Sequence, residues 1–214
     1  MNTNTRVYEE MANSITHGAG IMISLVCLTL LVVFSSIYGT PRHVVSCSIF
    51  GSSMVLLYTA STLYHSARSP RLRHIFKIID HACIYLLIAG SYTPFTLITL
   101  RGGWGWTLFG VVWGLAVIGI VFKIFFVHRF KIVATLAYIL MGWLVIVAIK
   151  PLVQNLPPGG LVWLVSGGLA YTLGALFYLW KNLPYSHAVW HLFVLAGSIC
   201  HFIAVMFYVI PLGT

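Results

Sequence analysis

The chain has 214 residues, of which 60% are hydrophobic and only 7% charged, and it carries a formal net charge of +9. Soluble domains hold about 25% charged residues, so this composition argues against a soluble globular protein and places the whole chain in the membrane class. The 12 Lys and Arg against 3 Asp and Glu fall in short segments between apolar runs, which is a topology signal rather than a mark of nucleic-acid binding.

Residues 1–17 are polar. Glu10, Asn13 and His17 recur at helical spacing and would share one face, with Thr16 beside them. On spacing alone they predict a solvated, capped lead-in to the first span. That span covers 18–38. It is long enough to cross a bilayer and follows a polar stretch, so it reads as a retained helix, not a cleaved signal. Gly39-Thr40-Pro41 makes a turn, and span 2 follows over 44–64, ending at His65. A basic loop holds Arg68, Arg71, Arg73, His74 and Lys77. Span 3 runs over 78–100 and span 4 over 104–127, separated by Arg101-Gly102-Gly103. His128, Arg129 and Lys131 precede span 5 at 132–149. Lys150-Pro151 and Pro157-Pro158-Gly159-Gly160 bracket the longest outer connection before span 6 at 161–180. Lys181-Asn182-Leu183-Pro184 is a tight turn into span 7 at 186–212. The reading is an all-α, seven-helix transmembrane bundle forming a single domain over 1–214. Only helices suit such spans, because lipid offers no partner to unpaired backbone groups.

With the N-terminus in the cytoplasm, the inner side collects Arg6, Arg68, Arg71, Arg73, Lys77, Lys123, Arg129, Lys131 and Lys181. The outer side collects only Arg42, Arg101 and Lys150. Basic residues concentrate inside, so the expected topology is N-terminus in and C-terminus out, on the periplasmic or extracellular side. Cys27, Cys47, Cys83 and Cys200 all lie in apolar runs without a C-x-x-C pair, and read as small packing residues. Trp104 and Trp106 stand at a span edge, where aromatic belts form. Gly167, Gly168 and Gly174 read as sites of close helix packing.

On this map the polar side chains that do not belong in lipid converge on one level. His65 ends span 2, Asp80 lies near the start of span 3, His187 and His191 open span 7, and Asn13 and His17 precede span 1. Asp80 is the only carboxylate after residue 10. It is either paired with Lys77, three residues earlier on the same face, or functional. His187 and His191 stand four apart, the spacing of the first two ligands in zinc proteases. Imidazole suits zinc, and three protein ligands plus water make a catalytic site. His65 would be the third ligand, with Ser61 facing the same way to hold a ligand, a water or the substrate. The competing reading is that each histidine merely caps a helix or sits in the interface. His201 lies ten residues past His191, about 15 Å deeper. It reads as an interhelical hydrogen bond, or as part of a second polar site. His43, His74 and His128 read as solvated loop residues. His81 points about 100° away from Asp80 and is not expected to be a ligand.

Together, Glu10-x-x-Asn13-x-x-Thr16-His17, Ser61-x-x-x-His65, Asp80-His81 followed by Ile84-Tyr85-Leu86-Leu87-Ile88-Ala89-Gly90-Ser91-Tyr92-Thr93-Pro94, and His187-x-x-x-His191 resemble the bacterial hemolysin III family. That family is the prokaryotic branch of the progestin and adipoQ receptor (PAQR) family. The resemblance covers nearly the whole chain. It implies a multi-pass protein of the bacterial inner (plasma) membrane with a Zn2+ ion held by His65, His187 and His191. Asp80 matches an acid that reaches the zinc through a water, and Ser61 matches the family's serine. The family's likeness to alkaline ceramidases implies hydrolysis of a lipid amide, with Asp80 and Ser61 as catalytic residues, Asn13 and His17 in support, and a membrane lipid as partner. Two alternatives stand beside this. One is a non-enzymatic sensor or regulator of membrane fluidity or energetics with structural zinc. The other is a hemolysin or pore, against which the spans offer no row of charges lining a channel.

Overall fold

The computed structural model describes residues 3–180 and 182–213. Among these, seven helices are long and apolar enough to cross a membrane, and no strand occurs. Helix α1 spans Thr3–Tyr38, α2 Pro41–Ser66, α3 Pro70–Pro94, α4 Gly102–Phe126, α5 Lys131–Gly142, α6 Ile149–Asn155, α7 Pro158–Leu179 and α8 Ser186–Ala204. Neighbours in sequence pack as neighbours in space, α1 on α2, α2 on α3, α3 on α4 and α7 on α8, and α1 also meets α8 to close the bundle. Lys181, counted above on the inner side, lies outside the described residues.

The span boundaries differ from the hydropathy reading in three places. First, α1 begins at Thr3, well before residue 18. The polar lead-in is helical, and its Asn13 and His17 are 5% and 3% exposed. They are not solvated, because that helix face turns into the bundle. Second, the fifth span is broken: α5 stops at Gly142, a 3-10 turn covers Leu144–Ala148, and α6 continues to Asn155. The predicted long outer connection is therefore mostly helix. Pro151 is tolerated because it sits in the first turn of α6, where backbone N–H groups have no intrahelical acceptor. Third, α3 and α8 do not end cleanly. Both widen into π-helix, over Phe95–Leu100 after Pro94 and over Val205–Val209. Pro94 lacks the N–H that an α-helical register needs.

Large apolar side chains such as Met22, Ile118, Phe125 and Leu140 are exposed on the outer surface, where lipid replaces water. Trp104 and Trp106 are also exposed at a span edge. Close helix packing does occur at the predicted glycines: a side chain at Gly167 would strike the His201 ring, and one at Gly174 would strike Trp190 and Phe193. All four cysteines are free, and three of them are buried. His43 is a correction. It is 1% exposed and closes the start of α2, where its Nδ1 accepts the Thr40 backbone N–H at 3.1 Å. Its short spacing from the N-cap Thr40 makes it a capping partner rather than a solvated loop residue.

Candidate metal centre

Helices α1, α2 and α8 come together at one end of the bundle around a set of imidazoles. His65 comes from the last turn of α2, and His187 and His191 from the first two turns of α8. One nitrogen from each lies within 4.8 Å of the other two. The ring centroids of His65 stand 5.0 Å from both His187 and His191, and the latter two are 4.6 Å apart. Four-residue spacing on α8 stacks His187 above His191 on one face. His65 and His191 are buried and His187 is partly so.

Hydrogen bonds decide which nitrogens are free. His65 Nδ1 donates to Glu10 Oε2 at 2.7 Å, since an ionised carboxylate can only accept. Its Nε2 is buried with no partner. Glu10 is held in turn by Arg73, whose Nη2 donates to Oε1, and the Arg73 guanidinium lies over the Tyr64 ring at 5.3 Å. His191 Nδ1 lies 3.2 Å from both the Asn13 backbone oxygen and the Thr16 hydroxyl. A carbonyl only accepts, so Nδ1 carries the hydrogen and Nε2 is left with its lone pair. Asn13 thus acts through its backbone, while its side-chain oxygen has no partner. His17 stacks on His191, with centroids 3.5 Å apart and planes 18° from parallel, and meets the Tyr58 ring edge-on at 5.1 Å. Neither His17 nitrogen is partnered. This wall of α1 fixes the tilt of His191 and leaves His17 free to meet a polar group in the adjoining cavity.

That cavity, about 150 Å3, runs from His17, Ser61, Asp80, His187 and His191 along a mainly apolar wall past Tyr92, Trp143 and Leu164. Asp80 is buried and a charged neighbour of His65, with Ser61 beside it. The Ser61 hydroxyl makes no well-formed hydrogen bond. No Asp80–Lys77 ion pair forms among the described residues. Lys77 turns away to donate to His128. His81 Nδ1 donates to the Lys77 carbonyl at 2.8 Å, and its Nε2 lies 3.4 Å from the Tyr178 hydroxyl. That Nδ1 also stands 3.5 Å from Asp80 Oδ2, nearer than a 100° offset around the helix suggests, while His81 stays outside the His65, His187 and His191 group. His201 reaches across to the Leu164 carbonyl at 3.3 Å, making the expected interhelical bond at the far side of the cavity.

The donor set fits a zinc ion. Zn–N bonds of about 2.0–2.1 Å in a tetrahedron place ligand nitrogens roughly 3.3 Å apart. The three nitrogens need only close somewhat from their present spacing, and two of the rings already present a lone pair by virtue of what their Nδ1 atoms do. Glu10 and Arg73 are the residues whose part sequence reasoning missed. Their signal was present but divided: Glu10 shared the face of Asn13 and His17, while Arg73 was counted only as a topological charge.

A family model described as "Haemolysin-III related" matches residues 5–202. The chain is 55% identical to "Hemolysin-3" of Bacillus cereus, over 96% of this chain and 94% of that protein. It is 50% identical to "Hemolysin-3 homolog" of Bacillus subtilis (strain 168), over 94% of this chain and 95% of the relative. A more distant match, 29% identical, is "Monocyte to macrophage differentiation factor" of Homo sapiens, covering 94% of this chain and 84% of that one.

Proposed function

Because the chain belongs to the hemolysin III family and is a multi-pass membrane protein, we propose that it is a zinc-dependent hydrolase of a membrane lipid amide. It would reside in the bacterial inner membrane with its N-terminus in the cytoplasm. The observation that carries this reading is the juxtaposition of three converging imidazole nitrogens with a buried carboxylate at one end of an apolar cavity. His65, His187 and His191 would hold the ion. Bound there, Zn2+ would polarise the scissile carbonyl and make water more acidic.

The chain's own residues supply the rest. Asp80 takes a proton from the attacking water as oxygen bonds to the acyl carbon. It returns that proton to the amine nitrogen as the C–N bond breaks. Ser61, whose hydroxyl lies beside Asp80, orients the water or the substrate's polar head. Unpartnered His17 offers a second hydrogen bond to that head. Apolar residues of α3, α5, α7 and α8 take the acyl chain and keep bulk water from the acid. Glu10 and Asn13 hold His65 and His191 in their metal-facing tautomers.

The test is turnover in purified, zinc-loaded protein, read as fatty acid released from ceramide-like lipids. Asp80→Asn should keep stoichiometric zinc and lose hydrolysis by at least about a hundredfold, the usual share of a general base. Zinc retained in a His65, His187 and His191 triple alanine variant would show that the site is wrong. Zinc-loaded wild type with no turnover across lipid classes would leave a regulator with a structural ion.

A further inference from the structure

All three carboxylates of the chain are engaged on one side of the bundle. Glu9 accepts the Tyr185 backbone N–H at 2.8 Å, Glu10 holds His65 and Arg73, and Asp80 faces the imidazoles. Elsewhere on the same level, where the first turns of α3 meet the last turn of α4, cations gather without an acid. Lys77 Nζ donates to His128 Nδ1 at 3.0 Å, and His128 Nε2 lies 3.0 Å from His74 Nδ1, the two rings nearly parallel. Lys123, in the last turn of α4, is 2% exposed. It makes no hydrogen bond or ion pair among the described residues. Its ammonium stands 5.9 Å from the Tyr138 ring, and its charged neighbour is another cation, Lys77. The charge on Lys77 holds the exposed His128 below the ordinary histidine range.

Two unneutralised ammonium groups at a membrane edge repel each other, and one of them is almost wholly enclosed by protein. An anion held by Lys77 at the surface would offset the charge of both. The surrounding surface shows which kind. Below the cations, towards the membrane centre, α3 and α4 turn apolar side chains outward: Ile79 is 42% exposed, Val121 47% and Ile118 66%. Cations at the rim of an apolar face match a molecule with a phosphate head and hydrocarbon tails.

We propose that Lys77, Lys123 and His128 form a headgroup site for an anionic phospholipid. Its phosphate would lie against Lys77 and His128 at the rim, with the enclosed Lys123 adding its charge from behind, and its acyl chains along the outer faces of α3 and α4. The site is separate from the metal centre and does not rest on the hydrolase reading.

Native mass spectrometry of the whole protein, released from micelles with equal phosphatidylglycerol and phosphatidylcholine, tests this. Wild type should retain phosphatidylglycerol in preference. The preference should fall about fivefold for each ammonium removed, the worth of one basic residue near an anionic surface, in Lys77→Gln and Lys123→Gln. Lys123→Arg should restore most of it. Arg42→Gln, on the opposite side, should change nothing. Should Lys123→Gln fail to fold, Lys77→Gln at its half-buried position carries the test alone. Bound zinc should be the same in every variant, which separates this site from the imidazoles. An unchanged preference in Lys77→Gln, or none in wild type, overturns the proposal. Displacement of the lipid by millimolar inorganic phosphate would assign the site to a free anion and overturn it equally.

Discussion

Glu10→Ala should weaken zinc binding about thirtyfold while leaving the three imidazole ligands in place. The Glu10 carboxylate makes two contacts: it accepts from His65 Nδ1 at 2.7 Å and from Arg73. Truncation leaves the His65 ring free to rotate or change tautomer, so that Nε2 no longer waits in position. It also leaves Arg73 without its acid. A hydrogen bond to a charged group contributes about 1.5–3 kcal/mol. Loss of a partner that orients a metal-bound histidine typically costs 10–100-fold in affinity, or about 1.4–2.7 kcal/mol at about 1.4 kcal/mol per tenfold. The two routes agree near 2 kcal/mol. The Glu10 side chain is 25% exposed, so water compensates part of the loss and the figure belongs below the upper end. Chelator competition on detergent-purified protein at fixed pH measures it. Glu10→Gln should fall between alanine and wild type, because an amide oxygen still accepts but without charge. Arg73→Ala should cost less than Glu10→Ala, because it acts only through the carboxylate. Wild-type affinity in Glu10→Ala, in a preparation where His187→Ala has lost its zinc, would refute the role given to Glu10.

Other outcomes follow from single contacts. Gly167→Val should destabilise the bundle by about 1–3 kcal/mol, the cost of overpacking a filled site, because its side chain would collide with the His201 ring. Gly110→Ala, with open space around it, should leave the thermal transition within a degree or two, and similar losses in both would sink the packing argument. His128 is held low chiefly by the charge on Lys77. Lys77→Gln should therefore move its titration upward, towards about 6.5, in an NMR pH series. Since the folded value lies below the unfolded one, protonation of His128 opposes folding. That penalty enters as pH falls through about 6.5 and is complete below the folded value. A reporter fused after Thr214 should be active only outside the cytoplasm, and cytoplasmic activity would invert the proposed orientation.

Hydropathy made the seven spans legible because lipid enforces it: each crossing must be apolar over its whole length. The same rule hid the lead-in helix. Residues 3–17 are polar for reasons unrelated to loops, since Asn13 and His17 face the bundle while Val7, Met11 and Ile15 are exposed. Imidazoles and Asp80 were visible as misfits in apolar runs. Glu10 and Arg73 were not, because a charge in a polar segment is no misfit, and their meeting needs three helices to be placed first. His43 was misread for a related cause. Its turn is short, and the buried side of a turn has no signature of its own. The break in the fifth span was foreshadowed only by Gly142, which its mostly apolar neighbours outvote in any hydropathy window average.

The contact between α1 and α8 also bears on the order of assembly. Thr16 meets His191 across 175 residues, and Glu9 meets the Tyr185 backbone across 176. Ribosomal synthesis delivers the first of these partners early and the second almost last, so α1 waits in the bilayer beside an unfinished ring. The ordering cost of bringing such distant segments together is met late, in one step, when α8 inserts. A chain truncated before Ser186 lacks both of the α8 imidazoles and the strut that aligns α1. It should neither retain the ion nor gain stability from it. If the proposed site holds zinc, the ion can seal only this last closure, after α8 is in place.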